Sequence, residues 1–308
     1  MLKVYQQTLL KPIELSGIGL HSGKKVNLRI LPGNDDQGLV FKRVDLKKNN
    51  FIFANFNNVN STKLCTSIQN IHEVKVSTVE HLLAAFYIAD IDNAVIEIDN
   101  EEIPIMDGSS KIFVEALKKS KVKILNKKRK YLKILNKVSL KNQEKEICIE
   151  PRDASFEIDF KLDYKNKVIG KQRNSINFYK DDLRDIYESR TFCLYDDIEK
   201  IKKVGLAKGG SLDNAIVVGQ DKILNEEGLR NSKEFVNHKI LDLAGDFLLS
   251  GYRILGKVTC NQGGHELTNS FLKKLLSRKS QIESFEIKDI KISTKVSHNQ
   301  PIKVAVNA

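Results

Sequence analysis

Apolar and polar residues alternate along short segments in the first third of the chain. Segments 26–30 and 94–98 both alternate in this way, so each is predicted to be a strand. Helical periodicity predicts a helix from 78 to about 89, between these two strands. A second helix is predicted after them, from about 112 to 119. Residues 1–40 as a whole are predicted to be strands joined by glycine-containing turns.

The rest of the chain repeats this order of elements. The predicted elements are a strand at 147–149 paired with one at 156–160, a helix at 181–187, a strand at 215–218, a long helix at 234–249, a strand at 254–259 and a helix at 267–277. Both halves therefore have strands followed by a helix, a strand and a helix, which indicates a duplicated α+β unit. The Lys-rich, weakly periodic run 119–133 predicts a domain boundary between them.

Length and composition agree with two ordinary domains. The chain has 308 residues, of which 41% are hydrophobic and 29% charged, and this is typical of globular proteins. The first residues lack the apolar run of a signal peptide, and no stretch approaches the roughly 18 apolar residues of a membrane span. Four dispersed cysteines without a CxxC pair fit a reducing compartment. We therefore expect a cytoplasmic protein without stable membrane insertion.

The net charge of +12 raises the question of a nucleic-acid partner, because basic surfaces attract phosphates. The excess consists mostly of Lys and is spread along the chain, accompanied by Asn and Ile, as an AT-rich genome would produce. There is no aromatic-interleaved RNA-binding stretch and no zinc-finger spacing. We predict that nucleic acid is not the main partner, and a basic nucleic-acid-binding module remains the rival hypothesis. An anionic small molecule would benefit from the same positive field.

The long helix predicted at 234–249 carries a candidate metal-binding pair. His238 and Asp242 are four residues apart, so they project from the same face, and Asp246 continues that stripe by one turn. A surface ion pair would explain the spacing as well as a metal site would. The apolar residues around the pair point it towards the interior, where a divalent cation could satisfy both side chains. The motif alone leaves the two interpretations open.

A second candidate motif joins a carboxylate and a histidine at the start of the helix predicted from 78. Glu80 and His81 follow Ser77, and the Ser77-x-x-Glu80 spacing also matches a capping box. A third histidine, His265, follows two glycines between a strand and a helix. Two His, one Asp and a spare Glu are the components of a catalytic zinc site with a base. The other histidines are predicted to be structural or surface residues: His21, His72 and His298.

Nine short motifs, in order along nearly the whole chain, resemble those of one enzyme family. They are GIGLHSGK (17–24), STVEHL (77–82), IDN (91–93), EIPIMDGS (102–109), SRTF (189–192), GGSLD (209–213), LNEEGLR (224–230), HKILD with GD (238–242 and 245–246) and GH (264–265). The chain is similar to the UDP-3-O-acyl-N-acetylglucosamine deacetylases, the zinc amidases of lipid A synthesis in Gram-negative bacteria. A zinc hydrolase acting on another amide, such as a peptide, is the remaining alternative, although HExxH is absent.

The resemblance implies two similar domains, each a two-layer sandwich of helices against a mainly antiparallel sheet, with the active site between them. On this chain they correspond to residues 1–125 and 126–300, followed by a tail at 301–308. The implied reaction removes the N-acetyl group of UDP-3-O-[(R)-3-hydroxyacyl]-N-acetylglucosamine and releases acetate and the 2-amino sugar. The family also implies a monomer.

The resemblance also implies roles for individual residues. His81, His238 and Asp242 would bind Zn²⁺, with Fe²⁺ as an alternative in the cell because both ions accept His and carboxylate ligands. Glu80 would be the base that takes a proton from water. Thr191 would help to hold the oxyanion.

Two further residues would complete the acid–base chemistry. His265 would stabilise the oxyanion charge or protonate the departing amine, and Asp246 would orient His265.

The remaining implied roles concern the substrate. Lys239 would face the diphosphate, and Phe160 would contact the uridine. Phe192 begins a stretch similar to the family's insert in the second domain, placed near 193–218, which forms an apolar passage for the acyl chain. A core helix over 193–204 is an equally good interpretation of that stretch.

Overall fold

The computed structural model describes residues 2–287, and within them the predicted α+β class is confirmed. The predicted tail 301–308 and His298 lie outside the described residues. The strands are β1 (Tyr5–Leu9), β2 (Ile13–Ile18), β3 (Lys25–Pro32), β4 (Leu39–Arg43), β5 (Phe51–Phe53), β6 (Val59–Ser61), β7 (Ser67–Gln69), β8 (Lys75–Val76), β9 (Ala94–Ile98), β10 (Val122–Lys128), β11 (Lys130–Ile134), β12 (Val138–Asn142), β13 (Lys145–Pro151), β14 (Phe156–Asp163), β15 (Lys171–Asn177), β16 (Phe192–Leu194), β17 (Ile216–Val218), β18 (Arg253–Asn261) and β19 (Ile282–Glu286). The α-helices are α1 (Glu80–Ile88), α2 (Lys111–Ser120), α3 (Arg184–Tyr187), α4 (Tyr195–Lys203), α5 (Glu234–Leu248) and α6 (His265–Ser277).

The first half of the chain builds a five-stranded sheet in the order β2-β3-β9-β4-β5. Its pairs are antiparallel except β4 with β9. On β3 the predicted alternation is confirmed, because Val26, Leu28 and Ile30 are buried while their neighbours face outwards. Helix α2 packs on β2, and α1 is buried along most of its length.

The second half builds a seven-stranded sheet in which β18 is central. The predicted pairing of 147–149 with 156–160 is wrong, because β18 pairs antiparallel with β13 and parallel with β14. Both strands exist as predicted, but their alternation contains no information about their partners. The later strand β18 alternates buried residues with partly exposed ones after Gly256, so its central position is visible only in its pairing with strands on both sides.

Helix boundaries differ from the predictions by up to three residues. The helix predicted at 181–187 forms only over Arg184–Tyr187, and α6 begins at His265 instead of 267. The capping box is wrong, since the Ser77 hydroxyl donates to the Glu101 carbonyl at 3.0 Å and the Glu80 carboxylate accepts the Thr66 backbone N–H at 3.0 Å. Neither side chain therefore caps the backbone N–H groups at the start of α1.

The predicted boundary run contains regular structure. Strand β10 crosses residue 125 and pairs antiparallel with β1, so the N-terminus of the chain lies beside this run. The division at 125 and 126 stays a prediction.

Contacts between α1 and elements of the second half position the site. The α1 and α5 helices pack closely against each other, and Gly245 on α5 lies against the backbone of α1. At the other end of α1, the buried Arg253 donates to the carbonyl of Tyr87 at 2.8 Å and lies 3.3 Å from Asp92. A basic group at the C-terminus of a helix binds its free carbonyls and complements its dipole. These contacts hold α1, which carries Glu80 and His81, against the second half of the chain.

Candidate metal centre and substrate cavity

Helices α1 and α5 bring the three predicted metal ligands together. His81 lies in the first turn of α1, and His238 and Asp242 lie one turn apart on α5. Oδ1 of Asp242 is 3.5 Å from Nε2 of His81 and 3.3 Å from Nε2 of His238. All three side chains are buried, and their possible ligand atoms lie within 4.8 Å of one another.

The donor set fits a tetrahedral divalent cation. Ligands about 2.0–2.1 Å from Zn²⁺ in a tetrahedron are about 3.3–3.4 Å from one another, which is close to both distances at Asp242. Within residues 2–287, Asp242 Oδ1 and His81 Nδ1 are buried without a hydrogen-bond partner. A buried carboxylate oxygen of this kind is costly unless a cation satisfies it. The residues therefore fit a metal ion.

Local hydrogen bonds orient the ligands. Nδ1 of His238 lies 3.1 Å from the Ser189 carbonyl, which can only accept, so Nδ1 carries the proton and Nε2 has a free lone pair. Burial lowers the pKa of His238 to about 3, although Asp242 opposes this shift. Burial would raise the pKa of Asp242, but His238 and Lys239 outweigh it and hold that pKa well below its usual value. A neutral imidazole and a carboxylate are the forms that bind metal.

Glu80, His265 and Asp246 form a second cluster beside the first. Nδ1 of His265 is 2.9 Å from Asp246 Oδ2, and its Nε2 is 3.6 Å from Glu80 Oε1. Burial would lower the pKa of His265, but the two carboxylates outweigh burial and raise it to about 9. Burial raises the pKa of Glu80, although the neighbouring imidazoles of His265 and His81 oppose this. A cationic His and a carboxylate of raised pKa are suited to proton transfer.

Thr66 hydrogen-bonds to the carboxylates of both Glu80 and Asp246, and the sequence contains no signal that would have identified this residue. Its hydroxyl donates to Asp246 at 2.6 Å, and its N–H donates to Glu80 at 3.0 Å. Because both acceptors come from other elements, the role of Thr66 becomes visible only in the fold.

An apolar cavity of about 380 Å³ lies beside the metal cluster. A smaller cavity of about 30 Å³ is lined by the predicted ligands, Glu80 and His265. Leu20, His21, Leu64 and Thr191 line both cavities, so the two spaces are neighbours. Residues 192–217 supply most of the larger wall. The core-helix interpretation of 193–204 is wrong, because α4 has no buried residue and contributes Ile198 and Ile201 to the cavity instead.

The three predicted substrate-binding residues occupy different environments. Lys239 donates to Asp242 at 2.9 Å, and its Nζ lies 5.5 Å from the centre of the Phe192 ring. Phe192 itself lines the large cavity. Phe160 is buried on β14 close to Gly263, with 1% of its surface exposed. Its contact with uridine stays a prediction.

Sequence comparisons agree with this geometry. The family model LpxC, UDP-3-O-acyl N-acetylglycosamine deacetylase, matches residues 6–277. The chain belongs to this family. Its relatives named UDP-3-O-acyl-N-acetylglucosamine deacetylase include one from Citrifermentans bemidjiense, 41% identical over 276 residues, with 89% of this chain and 90% of the relative covered. A second relative of that name, from Idiomarina loihiensis, is 42% identical over 283 residues, covering 91% of this chain and 92% of its own length.

A third deacetylase of the family, from Pseudoalteromonas translucida, is 39% identical over 283 residues, covering 91% of this chain and 93% of the relative. The family match spans both halves of the chain and therefore includes every predicted site residue. In the present chain, no helix among residues 2–287 is long and apolar enough to cross a membrane.

Proposed function

We propose that the protein is a zinc-dependent amidase that hydrolyses the N-acetyl group of UDP-3-O-[(R)-3-hydroxyacyl]-N-acetylglucosamine, the committed step of lipid A synthesis. The observation that supports this most directly is that a polar cavity and an apolar cavity lie side by side and share lining residues. A polar cavity with a His₂Asp cluster suits amide hydrolysis, and the apolar cavity that shares Thr191 with it suits an acyl chain. Family membership supplies the UDP-linked acylated sugar as the substrate class.

Zn²⁺, held by His81, His238 and Asp242, would lower the pKa of water towards about 7 and polarise the acetyl carbonyl. Fe²⁺ could occupy the same donor set. The buried, unpartnered Oδ1 of Asp242 supports a cation at this position.

Glu80 acts as the base. Its carboxylate is buried beside the ligand cluster but is not a member of it, so it can take a proton from the attacking water. Because burial raises the pKa of Glu80, the carboxylate holds a proton more readily than an exposed glutamate does.

His265 completes the proton transfer. In its cationic form it stabilises the developing oxyanion or gives a proton to the sugar nitrogen, and the C–N bond breaks to release acetate and a free amine. Asp246 keeps His265 protonated and oriented through the 2.9 Å hydrogen bond. Thr191 donates its hydroxyl to the oxyanion, a contribution of about 3 kcal/mol in comparable sites.

Other residues hold the substrate away from the reacting atoms. The large cavity, which Phe192 lines, receives the 3-O-acyl chain, and each methylene that it buries contributes about 0.8 kcal/mol. Lys239 faces the diphosphate, and Phe160 is proposed to contact the uridine. We also propose that the protein acts as a monomer in the cytoplasm, where its unpaired cysteines remain reduced.

Metal analysis tests this proposal. Wild type is expected to contain about one Zn²⁺ per chain and to release acetate, whereas Asp242→Ala should lose both the metal and the activity. Glu80→Gln is the matched control, because it should lose activity and keep the metal. Activity in a protein with Ala at both His81 and His238 would refute the proposal. Steep salt-dependent RNA binding without tightly held metal would favour the nucleic-acid alternative instead.

A further inference from the structure

Glu102 is a buried carboxylate that joins two walls of the site. It lies after β9 and is 1% exposed. Its Oε1 accepts the backbone N–H of His21 at 2.7 Å and the hydroxyl of Thr78 at 3.0 Å, and its Oε2 accepts the N–H of Ser22 at 2.7 Å. One carboxylate thus holds the loop 19–23 and the residue two positions before Glu80.

The loop 19–23 is part of the apolar wall. Leu20 and His21 line both cavities, and the carbonyls of these two residues accept the N–H groups of Gly209 and Lys208 at 3.0 and 3.3 Å. The loop is therefore attached to Glu102 on one side and to the insert on the other. Any displacement of its backbone changes the wall that an acyl chain would contact.

Gly19 shows how closely the loop surrounds the carboxylate. A Cβ atom at Gly19 would lie 2.9 Å from the carboxyl carbon of Glu102 and still closer to one of its oxygens. Carbon atoms in contact are normally about 3.5–4.0 Å apart. The loop conformation and the Glu102 carboxylate therefore require each other.

Thr78 has an unusual backbone conformation. Its φ is 57°, a left-handed value that is rare for a β-branched residue. Such strain persists only where surrounding contacts impose it, and it is common at functional sites. The hydrogen bond to Glu102 is one of these contacts, and the chain enters α1 at Glu80 directly afterwards.

We infer that Glu102 is a positioning residue with two separable effects. It fixes the loop 19–23, and so sets selectivity for the acyl chain, and it fixes Thr78, and so places Glu80 for catalysis. This inference rests on the proposed function, and it adds a residue that contacts neither the metal ligands nor the reacting atoms.

Two substitutions separate these effects. In Glu102→Gln, the amide nitrogen can replace only one oxygen, and the least costly orientation keeps Oε1 and leaves the Ser22 N–H without an acceptor. In Thr78→Val, a methyl group of similar size replaces the hydroxyl that binds Oε1, and both Glu102 oxygens are kept. The first variant therefore reports on the loop, and the second reports on the segment before Glu80.

The assay compares zinc-loaded enzyme on UDP-N-acetylglucosamine carrying a long 3-O-acyl chain or a 3-O-acetyl group. For Glu102→Gln we expect the ratio of kcat/KM for the two substrates to fall about tenfold, mainly through KM of the long-chain substrate. For Thr78→Val we expect kcat per folded, zinc-loaded chain to fall about tenfold on both substrates with the ratio unchanged, which loss of folded enzyme cannot produce, and Thr78→Ser should recover it. The matched control is Glu101→Gln, a partly buried neighbour whose carboxylate pairs with Lys24 and Lys75, and it should change neither quantity.

A purely structural role would predict a different result. Loss of folded enzyme lowers kcat equally on both substrates and leaves KM and the ratio unchanged, so that result for Glu102→Gln would overturn the inference. Hydrogen exchange supplies a readout that is independent of activity. The amides of the loop 19–23 should exchange at least tenfold faster in Glu102→Gln than in Glu101→Gln, and equal rates would also overturn the inference. If wild type hydrolyses neither substrate, the proposed function fails, while hydrogen exchange still tests the role of Glu102.

Discussion

Gly245 on α5 offers a direct test of how helix packing builds the metal centre. It lies three residues after Asp242, and a Cβ added there would be 3.0 Å from the carbonyl carbon of Glu80 and 3.1 Å from the nitrogen of Ala84. The Glu80 carbonyl oxygen would lie closer still. That oxygen would be 2.1 Å away, whereas carbon–oxygen contacts need about 3.3 Å, so Gly245→Ala should separate α1 from α5 by roughly 1 Å.

We expect Gly245→Ala to impair the metal site more than the stability of the fold. Overpacking costs about 1–3 kcal/mol, but replacing a helical Gly by Ala returns about 1 kcal/mol. Because the clashing atoms belong to the backbone and no side-chain rotation can move them, the overpacking cost is at its upper end, and the free energy of unfolding should fall by about 2 kcal/mol. The same separation moves His81 away from His238 and Asp242; Nε2 of His81 now lies 3.5 Å from Oδ1 of Asp242. A displacement near 1 Å can reduce a catalytic rate about 100-fold.

The assay measures zinc affinity by competition with a chelator, together with kcat and the melting temperature. For Gly245→Ala we expect zinc affinity to fall about 10- to 100-fold, similar to the loss of a residue that orients a ligand. The control Ala244→Gly should lose about 1 kcal/mol through helix propensity and about 1 kcal/mol more through its buried methyl group, while keeping its zinc affinity. If Gly245→Ala keeps the zinc affinity and kcat of wild type, the close approach of the helices does not determine the metal geometry.

Three further predictions concern the chemistry. Asp246→Asn should move the alkaline limb of the pH–rate profile to lower pH. His265 must be protonated to act, so activity falls as pH rises through its pKa of about 9, and a neutral amide at position 246 no longer raises that pKa. An unchanged alkaline limb would exclude His265 as the acid. Glu80→Gln should lower kcat about 100- to 10,000-fold with the zinc content intact, and near-normal kcat would assign the base elsewhere. Val217→Phe should fill part of the large cavity and raise KM for long acyl chains while a 3-O-acetyl substrate is unaffected; equal KM changes on both substrates would argue against this cavity as the acyl site.

The local pattern of residues was sufficient to predict most helices and strands and part of the metal centre. The i, i+4 spacing of His238 and Asp242 places them on one helix face wherever that helix lies, and α5 forms within one residue of its prediction. Apolar alternation likewise identified β3, β9 and β18, because fuller burial of one face leaves a period of two in the sequence. The order of motifs then pointed to the family and to the remaining catalytic residues.

Relations between distant segments were decided only by the tertiary structure. Strand β18 enters between β13 and β14, although nothing in either strand's alternation specifies that partner. The exposed helix α4 forms one wall of a cavity, because its apolar residues face space that other elements enclose.

Thr66 and Glu102 illustrate the same limit within the site. Each is a common polar residue whose importance depends on acceptors or donors supplied by other elements: Asp246 for Thr66, and the loop 19–23 for Glu102. The sequence by itself therefore determined which residues could bind a metal and move protons, since those properties belong to side chains and their local spacing. Folding decided which buried polar groups meet, because a buried donor or acceptor requires a partner and that partner comes from another part of the chain.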